Sequence, residues 1–351
     1  MILEKEIPIT SFSLYEALSE DALCFDIETT GLNKKYTHIT VIGCGHIKKD
    51  KIIFRQWLLD NPSAEKELLL EFSDYLKSFH TILQFNGQAF DIPYVRERCL
   101  ICKLPDPFSH MDYVDLYKSA KKLKNIMHLE NCKQKTMEGL FHIQRKDKIS
   151  GYECISAYKN YLRYGDETAK NALLLHNEED VLGLLKLSSL RFLDTLSDDF
   201  QFEKSEFLND DCFQCSFSLK HPLFFPISYK MDYFDLHLDG RDGILLLKSV
   251  FDSRKFFFSD YKNYFYLPEE DHAIHKSVGI YVDPDHRCKA SKSNCYEKKE
   301  DYFFYQPKDI LSPAFRLTYK DADSWIQKKA LKEASFQELS ELCKAYLSHL
   351  F

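Results

Sequence analysis

Nowhere in the 351 residues does an uninterrupted apolar run approach the length of a membrane span, which argues against a helical membrane protein. The opening residues, Met1-Ile2-Leu3-Glu4-Lys5-Glu6, are too acidic and too short in apolar side chains for a signal peptide, so the expected compartment is the cytoplasm. A basic excess is missing too. With a formal net charge of −7, affinity for nucleic acid has to come from a local patch or from bound metal. Nor is there a disulfide framework: the eleven cysteines are odd in number and scattered, several of them inside apolar runs, and read as reduced buried thiols. Cys99-x-x-Cys102 lies in an apolar helical run and reads the same way. Cys212-x-x-Cys215 with Cys288 and Cys295 has the ligand types of a zinc site, but six residues separate the second pair, the wrong spacing for a zinc ribbon.

What is present is a chain with 44% hydrophobic and 15% aromatic residues, enough to bury two cores, with domains expected at 1–197 and 198–351. Its most informative stretch is Leu23-Cys24-Phe25-Asp26-Ile27-Glu28-Thr29-Thr30-Gly31-Leu32. Two carboxylates two apart in a strand-forming run point the same way, while Phe25 and Ile27 point the other. Like charges this close raise each other's pKa or recruit a hard cation such as Mg²⁺ or Mn²⁺. The bland alternative is an exposed Asp-x-Glu on an amphipathic edge strand.

Two further stretches bear on that choice. Phe85-Asn86-Gly87-Gln88-Ala89-Phe90-Asp91-Ile92-Pro93 leaves a buried strand, turns at Asn86-Gly87 and presents Asp91 where a helix opens, as a site residue or as a simple cap. Leu175-His176-Asn177-Glu178-Glu179-Asp180-Val181 places His176 and Asp180 four apart on one helix face, able to meet one site. A lone histidine there would more often be a partnered core or surface residue.

Around these stretches, strands are expected at 40–45 and 52–58, forming a meander with the first strand, and then at 81–85 and 111–116. Helices are expected at 61–79, 90–102, 117–127, 136–141, 152–164 and 169–196. This is an α/β pattern: a mixed sheet, antiparallel at first and then strand-helix alternation, with helices on both faces. From about residue 200 short aromatic-rich strands follow, at 212–219, 227–238, 244–251, 255–258, 263–267 and 302–305. They make a smaller β-rich domain, whose Tyr and Phe read as core more readily than as base-stacking platforms.

With the three acidic stretches in order, residues 23 to 190 resemble the ribonuclease H-like DEDD 3′→5′ exonucleases. Asp26 and Glu28 match the first motif, Asp91 the second and Asp180 the third. Leu140-Phe141-His142-Ile143-Gln144-Arg145-Lys146-Asp147-Lys148-Ile149-Ser150-Gly151, with Tyr158 and Leu162, is similar to the branch of YprB-like ribonuclease H domains. The two large subclasses carry a tyrosine four residues before the last aspartate or a histidine five before it. His176, four before Asp180, takes the tyrosine's register with the histidine's chemistry, a form the YprB-like branch tolerates.

The resemblance implies a ribonuclease H-like fold and a phosphodiester hydrolase, with Asp26, Glu28, Asp91 and Asp180 holding two Mg²⁺ or Mn²⁺ ions and His176 serving the attacking water. Thr29, Gly31, Leu32, Asn86, Phe90 and Arg145 are the implied substrate contacts, and a single-stranded DNA or RNA 3′ end, DNA preferred, the implied partner. Asp115 falls outside the four-ligand set and is taken as structural. The alternative is a catalytically silent nucleic-acid-binding scaffold on the same fold. Between positions 118 and 148 nine basic residues face three acidic ones, a local net of +6 that suits a phosphate track or, equally, a solvated helix face.

Overall fold

The run from Ala22 to Thr29 forms the second of four successive strands, and the rest of the N-terminal half is arranged about it. In the computed structural model, which describes residues 1–9 and 18–351, these are β1 (Ile2–Pro8), β2 (Ala22–Thr29), β3 (Ile39–Lys48) and β4 (Lys51–Leu58). They are followed by α1 (Glu65–Leu76), β5 (Thr81–Gln84), α2 (Asp91–Ile101), β6 (Asp112–Asp115), α3 (Leu116–Met127), α4 (Gln134–Leu140), α5 (Gly151–Tyr164) and α6 (Glu167–Lys186). The six strands form one mixed sheet in the order β1-β4-β3-β2-β5-β6. β2 runs antiparallel to β3 and parallel to β5, and β5 parallel to β6. The mixed sheet and the strand-helix alternation are those expected; the edge strand β1 was not, because only Leu3 and Ile7 of its seven residues are even partly buried.

Period-two alternation decides what each face of the sheet carries. Leu23, Phe25 and Ile27 join Leu69, Phe72 and Leu76 of α1 and Ile92 and Val95 of α2 in one apolar cluster. Burying a side chain such as Phe72 contributes about 1.5–3 kcal/mol. The opposite face carries a smaller cluster of Val41 and Leu58 with Cys154 and Tyr158 of α5 and Leu173 and Leu174 of α6. Asp26 and Glu28 share that second face.

Contacts divide the chain into two compact units, Met1–Asp194 and Thr195–Phe351. The second is β-rich, as expected. β7 (Phe200–Phe207), β8 (Cys212–Leu219), β9 (Ile227–Lys230), β10 (Phe234–Asp239) and β11 (Asp242–Lys248) build an antiparallel sheet in the order β7-β8-β11-β10-β9. β12 (Val250–Phe257), β16 (Tyr296–Gln306) and β17 (Ser324–Gln327) form a second sheet. The third comprises β13 (Tyr264–Leu267), β14 (His272–His275) and β15 (Cys288–Lys289), with α7 (Lys276–Gly279) following β14.

Two expectations change here. The run 227–238 is a hairpin rather than one strand, closed by the Met231 N–H donating to the Phe234 carbonyl at 2.8 Å. Two helices close the chain, α8 (Lys328–Glu333) and α9 (Phe336–Leu350), the second opened by a Ser335/Glu338 capping box and burying Leu339, Leu342, Cys343, Tyr346 and Leu347. Many of the aromatics are core: the Phe234 ring lies 4.8 Å from Tyr346, and Phe217, Phe303 and Phe304 are buried. The candidate Cys₄ zinc site is not assembled. Cys212 and Cys215 lie on β8, Cys288 on β15, and the described residues bring no metal-holding group of these four together.

Candidate metal centre

The site begins where the pairing of β2 with β5 stops. That parallel pairing runs only from Ala22↔Thr81 to Cys24↔Leu83, after which β5 ends and the chain turns away. Asn86, at φ 62°, donates its N–H to Asp115 Oδ1 at 2.8 Å. Asp115 also caps α3 through the Tyr117 N–H at 3.1 Å, the structural role expected of it. Gly87 follows because a Cβ there would sit 2.4 Å from Gln84 Oε1 and 3.0 Å from Asp91 Oδ2. The freed edge of β2 is met by Asp91, whose carboxylate accepts the Ile27 N–H. The cap position of α2 belongs to Phe90, and Asp91 stands in the first turn, where the helix dipole favours its carboxylate as well.

From the α6 side, Asn177 anchors the helix to β2. Its Nδ2 donates to Asp26 Oδ2 at 2.9 Å and its Oδ1 accepts from Gln56 Nε2 at 2.8 Å. Gly43 leaves room for it, since a Cβ there would stand 2.1 Å from Asn177 Oδ1. One turn of helix then brings Asp180 to the strand carboxylates: oxygens of Asp26, Glu28 and Asp180 all lie within 4.8 Å of one another.

Charge of one sign accumulates there. Burial first, and then the carboxylates of Asp180, Asp91 and Glu28, raise Asp26 well above the ordinary range. Burial, Asp180 and Asp91 push Glu28 up to about 8, and burial with a contribution from Asp180 pushes Asp91 up to about 7. A partly buried set of hard oxygen donors whose carboxylates raise one another's pKa fits divalent cations of the Mg²⁺ or Mn²⁺ kind.

The segment between α4 and α5 closes one side. Arg145 grips Glu138 through Nε and Nη2, and its Nη1 lies 2.6 Å from Asp180 Oδ1. Gly183 makes the space, a Cβ there falling 2.2 Å from Glu138 Oε1. Glu179 accepts the N–H groups of Lys146 and Asp147, both at 2.8 Å, and so holds Asp147 against α6. Burial works against ionisation of Asp147, yet hydrogen bonds that include those from His176 and Lys135 hold its carboxyl below the ordinary range. An ionised carboxylate only accepts, so His176 Nδ1, 2.7 Å from Asp147 Oδ2, is the donor. Its Nε2 then faces the site, 3.4 Å from Asp180 Oδ2 and 3.7 Å from Glu28 Oε1.

A groove of about 580 Å³, reached from Asp91 through its chain neighbour Phe90, is lined in part by Leu32, Lys34, Lys35, Phe90, Pro93 and Tyr94. Leu32 is 84% exposed. The Gly31 carbonyl accepts from Thr29 Oγ1 at 2.9 Å and Tyr94 OH at 3.0 Å, fixing the loop's root. A buried ion pair, Arg98 with Glu65, holds its far wall: Arg98 Nη1 donates to the carbonyls of Lys34 and Lys35, both at 3.2 Å.

Residues 23–191 match the family model of the RNase_H superfamily. That stretch is an RNase_H superfamily domain. It is 31% identical over 170 residues to the uncharacterised protein YprB of Bacillus subtilis strain 168, a match covering 46% of this chain and 40% of that one. Among solved structures, the family B DNA polymerase of Pyrobaculum calidifontis aligns with a TM-score of 0.38 and 17% identity over 49% of this chain and 25% of that one. E. coli Exonuclease I in complex with a dT13 oligonucleotide aligns with a TM-score of 0.32 and 12% identity over 49% and 42%.

The RNase_H domain thus gathers Asp26, Glu28, Asp91, His176 and Asp180 at one place, with Leu32 and Phe90 lining the groove and Thr29 and Gly31 at the root of its loop. Two of the implied substrate contacts lie away from the groove: Arg145 sits among carboxylates, and Asn86 in the turn bonded to Asp115. Sequence reasoning passed over Gln56, Asn177, Glu138, Asp147, Cys154 and the Glu65–Arg98 pair. Only Gln56 left a signal, as a polar residue between Phe54 and Trp57 in a strand with little else polar inside.

Proposed function

We propose that the RNase_H superfamily domain is a divalent-metal-dependent nuclease that hydrolyses phosphodiester bonds, removing nucleotides from the 3′ end of single-stranded DNA. The convergence of Asp26, Glu28 and Asp180, with Asp91 beside them, carries this reading. These four side chains would hold the cations, which when bound neutralise the scissile phosphate and acidify the attacking water.

The remaining roles belong to the protein. Asp147 orients His176 so that its free Nε2 accepts a proton from the water that enters between it and the carboxylates. Leu32 and Phe90 offer an apolar seat for the terminal base, and Lys34 and Lys35 charge for the backbone. Of the basic tract, Lys122 is paired with Asp194, Lys135 with Asp147 and Arg145 with Asp180. Lys118 and Lys121 are exposed on α3 and remain available to phosphate.

Incubation of the full chain with 5′-labelled single-stranded DNA or RNA in Mn²⁺ tests the proposal. The expected result is a 3′-shortening ladder on DNA, abolished by chelation. One observation favours the scaffold reading: Arg145 already supplies Asp180 with a cation. Intact strands with retained, metal-independent binding would decide for it.

A further inference from the structure

Not every ligand group at the site is a hard oxygen. Cys154, on the first turn of α5 and 1% exposed, brings its Sγ into the same space: Cys154 Sγ, His176 Nε2 and a Glu28 oxygen all lie within 4.8 Å of one another. All three residues are buried. The Cys154 thiol hydrogen-bonds to the Glu28 carboxylate, so sulfur and carboxylate already face each other. Mg²⁺ and Mn²⁺ prefer oxygen and have little use for a thiolate, whereas Zn²⁺ takes Cys, His and carboxylate together.

We propose that Glu28, Cys154 and His176, with Asp180 as fourth ligand, form a tetrahedral site for a thiophilic divalent cation, Zn²⁺, overlapping the hard-cation site and excluding its occupants. Two observations beyond the cysteine support it. With Zn–N and Zn–O bonds of about 2.1 Å, a tetrahedral ligand edge is about 3.4 Å. His176 Nε2 stands 3.4 Å from Asp180 Oδ2 and 3.7 Å from Glu28 Oε1, close to that edge, and Asp180, outside the group that holds Cys154, has to turn from Arg145 to complete the tetrahedron. The second is the buried Asp147 carboxylate on His176 Nδ1, which points the Nε2 lone pair inward, the outer-shell arrangement metal-ligating histidines use. Binding converts the thiol to thiolate and releases its proton to solvent. The site stands without the nuclease reading; only inhibition of hydrolysis by Zn²⁺ rests on that reading.

Co²⁺ titration of the full metal-free chain tests the site directly. The expected spectrum has a near-ultraviolet thiolate-to-cobalt charge-transfer band and strong visible tetrahedral bands, bleached by one equivalent of Zn²⁺. Cys154→Ser should lose the charge-transfer band while Cys295→Ser keeps it. X-ray absorption on the Zn²⁺-loaded wild-type chain needs no variant, and should give one sulfur and otherwise nitrogen and oxygen neighbours. A band unchanged in Cys154→Ser, or a zinc shell without sulfur, would overturn the proposal. If Mn²⁺ supports hydrolysis, Zn²⁺ should inhibit the wild type at concentrations at least tenfold lower than it inhibits Cys154→Ser, each relative to its own Mn²⁺ rate. Without hydrolysis, the spectra still decide the site.

Discussion

The clustered carboxylates should make the metal-free protein less stable as pH rises from 6.5 to 8. A carboxyl whose value is higher folded than unfolded carries an extra proton in the folded state, so the stability it contributes is lost as pH climbs through the folded value. Glu28 moves from 4.5 unfolded to about 8 folded, and Asp91 from 3.8 to about 7. His46 acts in the opposite sense: burial and then nearby Lys48 lower it from 6.5 to about 4, so most of its effect is spent by pH 6.5 and only about 0.4 kcal/mol is left to oppose the fall above it. Above that value Glu28 alone gives up to about 1.4 kcal/mol per pH unit, roughly 2 kcal/mol over the interval, with Asp91 adding a fraction before pH 7. At about 2–4 °C per kcal/mol for a unit of this size, Tm in chelator should fall by about 4–8 °C. Differential scanning calorimetry on the wild type and Glu28→Gln measures it. The variant should show a shallower fall, and saturating Mn²⁺ should reverse the fall in the wild type. A flat wild-type Tm across the interval, or identical slopes in both proteins, would refute the electrostatic account.

Asp26→Asn and Asp180→Asn should each lower Mn²⁺-dependent hydrolysis by at least 10²–10³-fold in gel assays while leaving far-ultraviolet circular dichroism unchanged, because each removes a donor from a shared cluster. Arg98→Leu leaves the buried Glu65 carboxylate with only His38 and the Ile39 N–H and should cost about 2–4 kcal/mol in denaturant unfolding, and in any folded fraction should raise KM for strands more than it lowers kcat, since the Lys34–Lys35 wall loses its anchor. The double variant Lys118→Glu, Lys121→Glu should weaken binding of long single strands and make its salt dependence shallower, by about 0.7 in log–log slope for each phosphate no longer neutralised, as read by fluorescence anisotropy across a salt series.

What could be read from the sequence was what depends on local periodicity. Asp26 and Glu28 had to share a strand face, and His176 and Asp180 a helix face, whatever the rest of the chain did. The order of strands and helices followed from the same patterning. What stayed hidden depends on long separations. Asp147 reads as the one acid in a basic loop until Glu179, 32 residues on, is seen to hold its backbone. Cys154 reads as a core thiol because nothing local places it beside Glu28. Arg145 reads as a phosphate contact because its two carboxylate partners, Glu138 and Asp180, come from different helices. The period-3.6 pattern of Leu339, Leu342, Tyr346 and Leu347 was there to be found, but the aromatic strands before it set the expectation for the whole unit.

The two sides of the site are built from backbone of different kinds, and this gives them different lifetimes. β2 is bonded along its length to β3 and at its start to β5, so the amides it gives to that ladder exchange with solvent only through large-scale opening. The Lys146 and Asp147 amides are held by one side chain, Glu179, outside any helix or strand. Their exchange should be faster by orders of magnitude, and each brief opening frees the backbone that carries Asp147, the partner of His176, next to Arg145. The strand side of the site therefore lasts as long as the fold, while the loop side can open and close many times within the life of a single folded molecule.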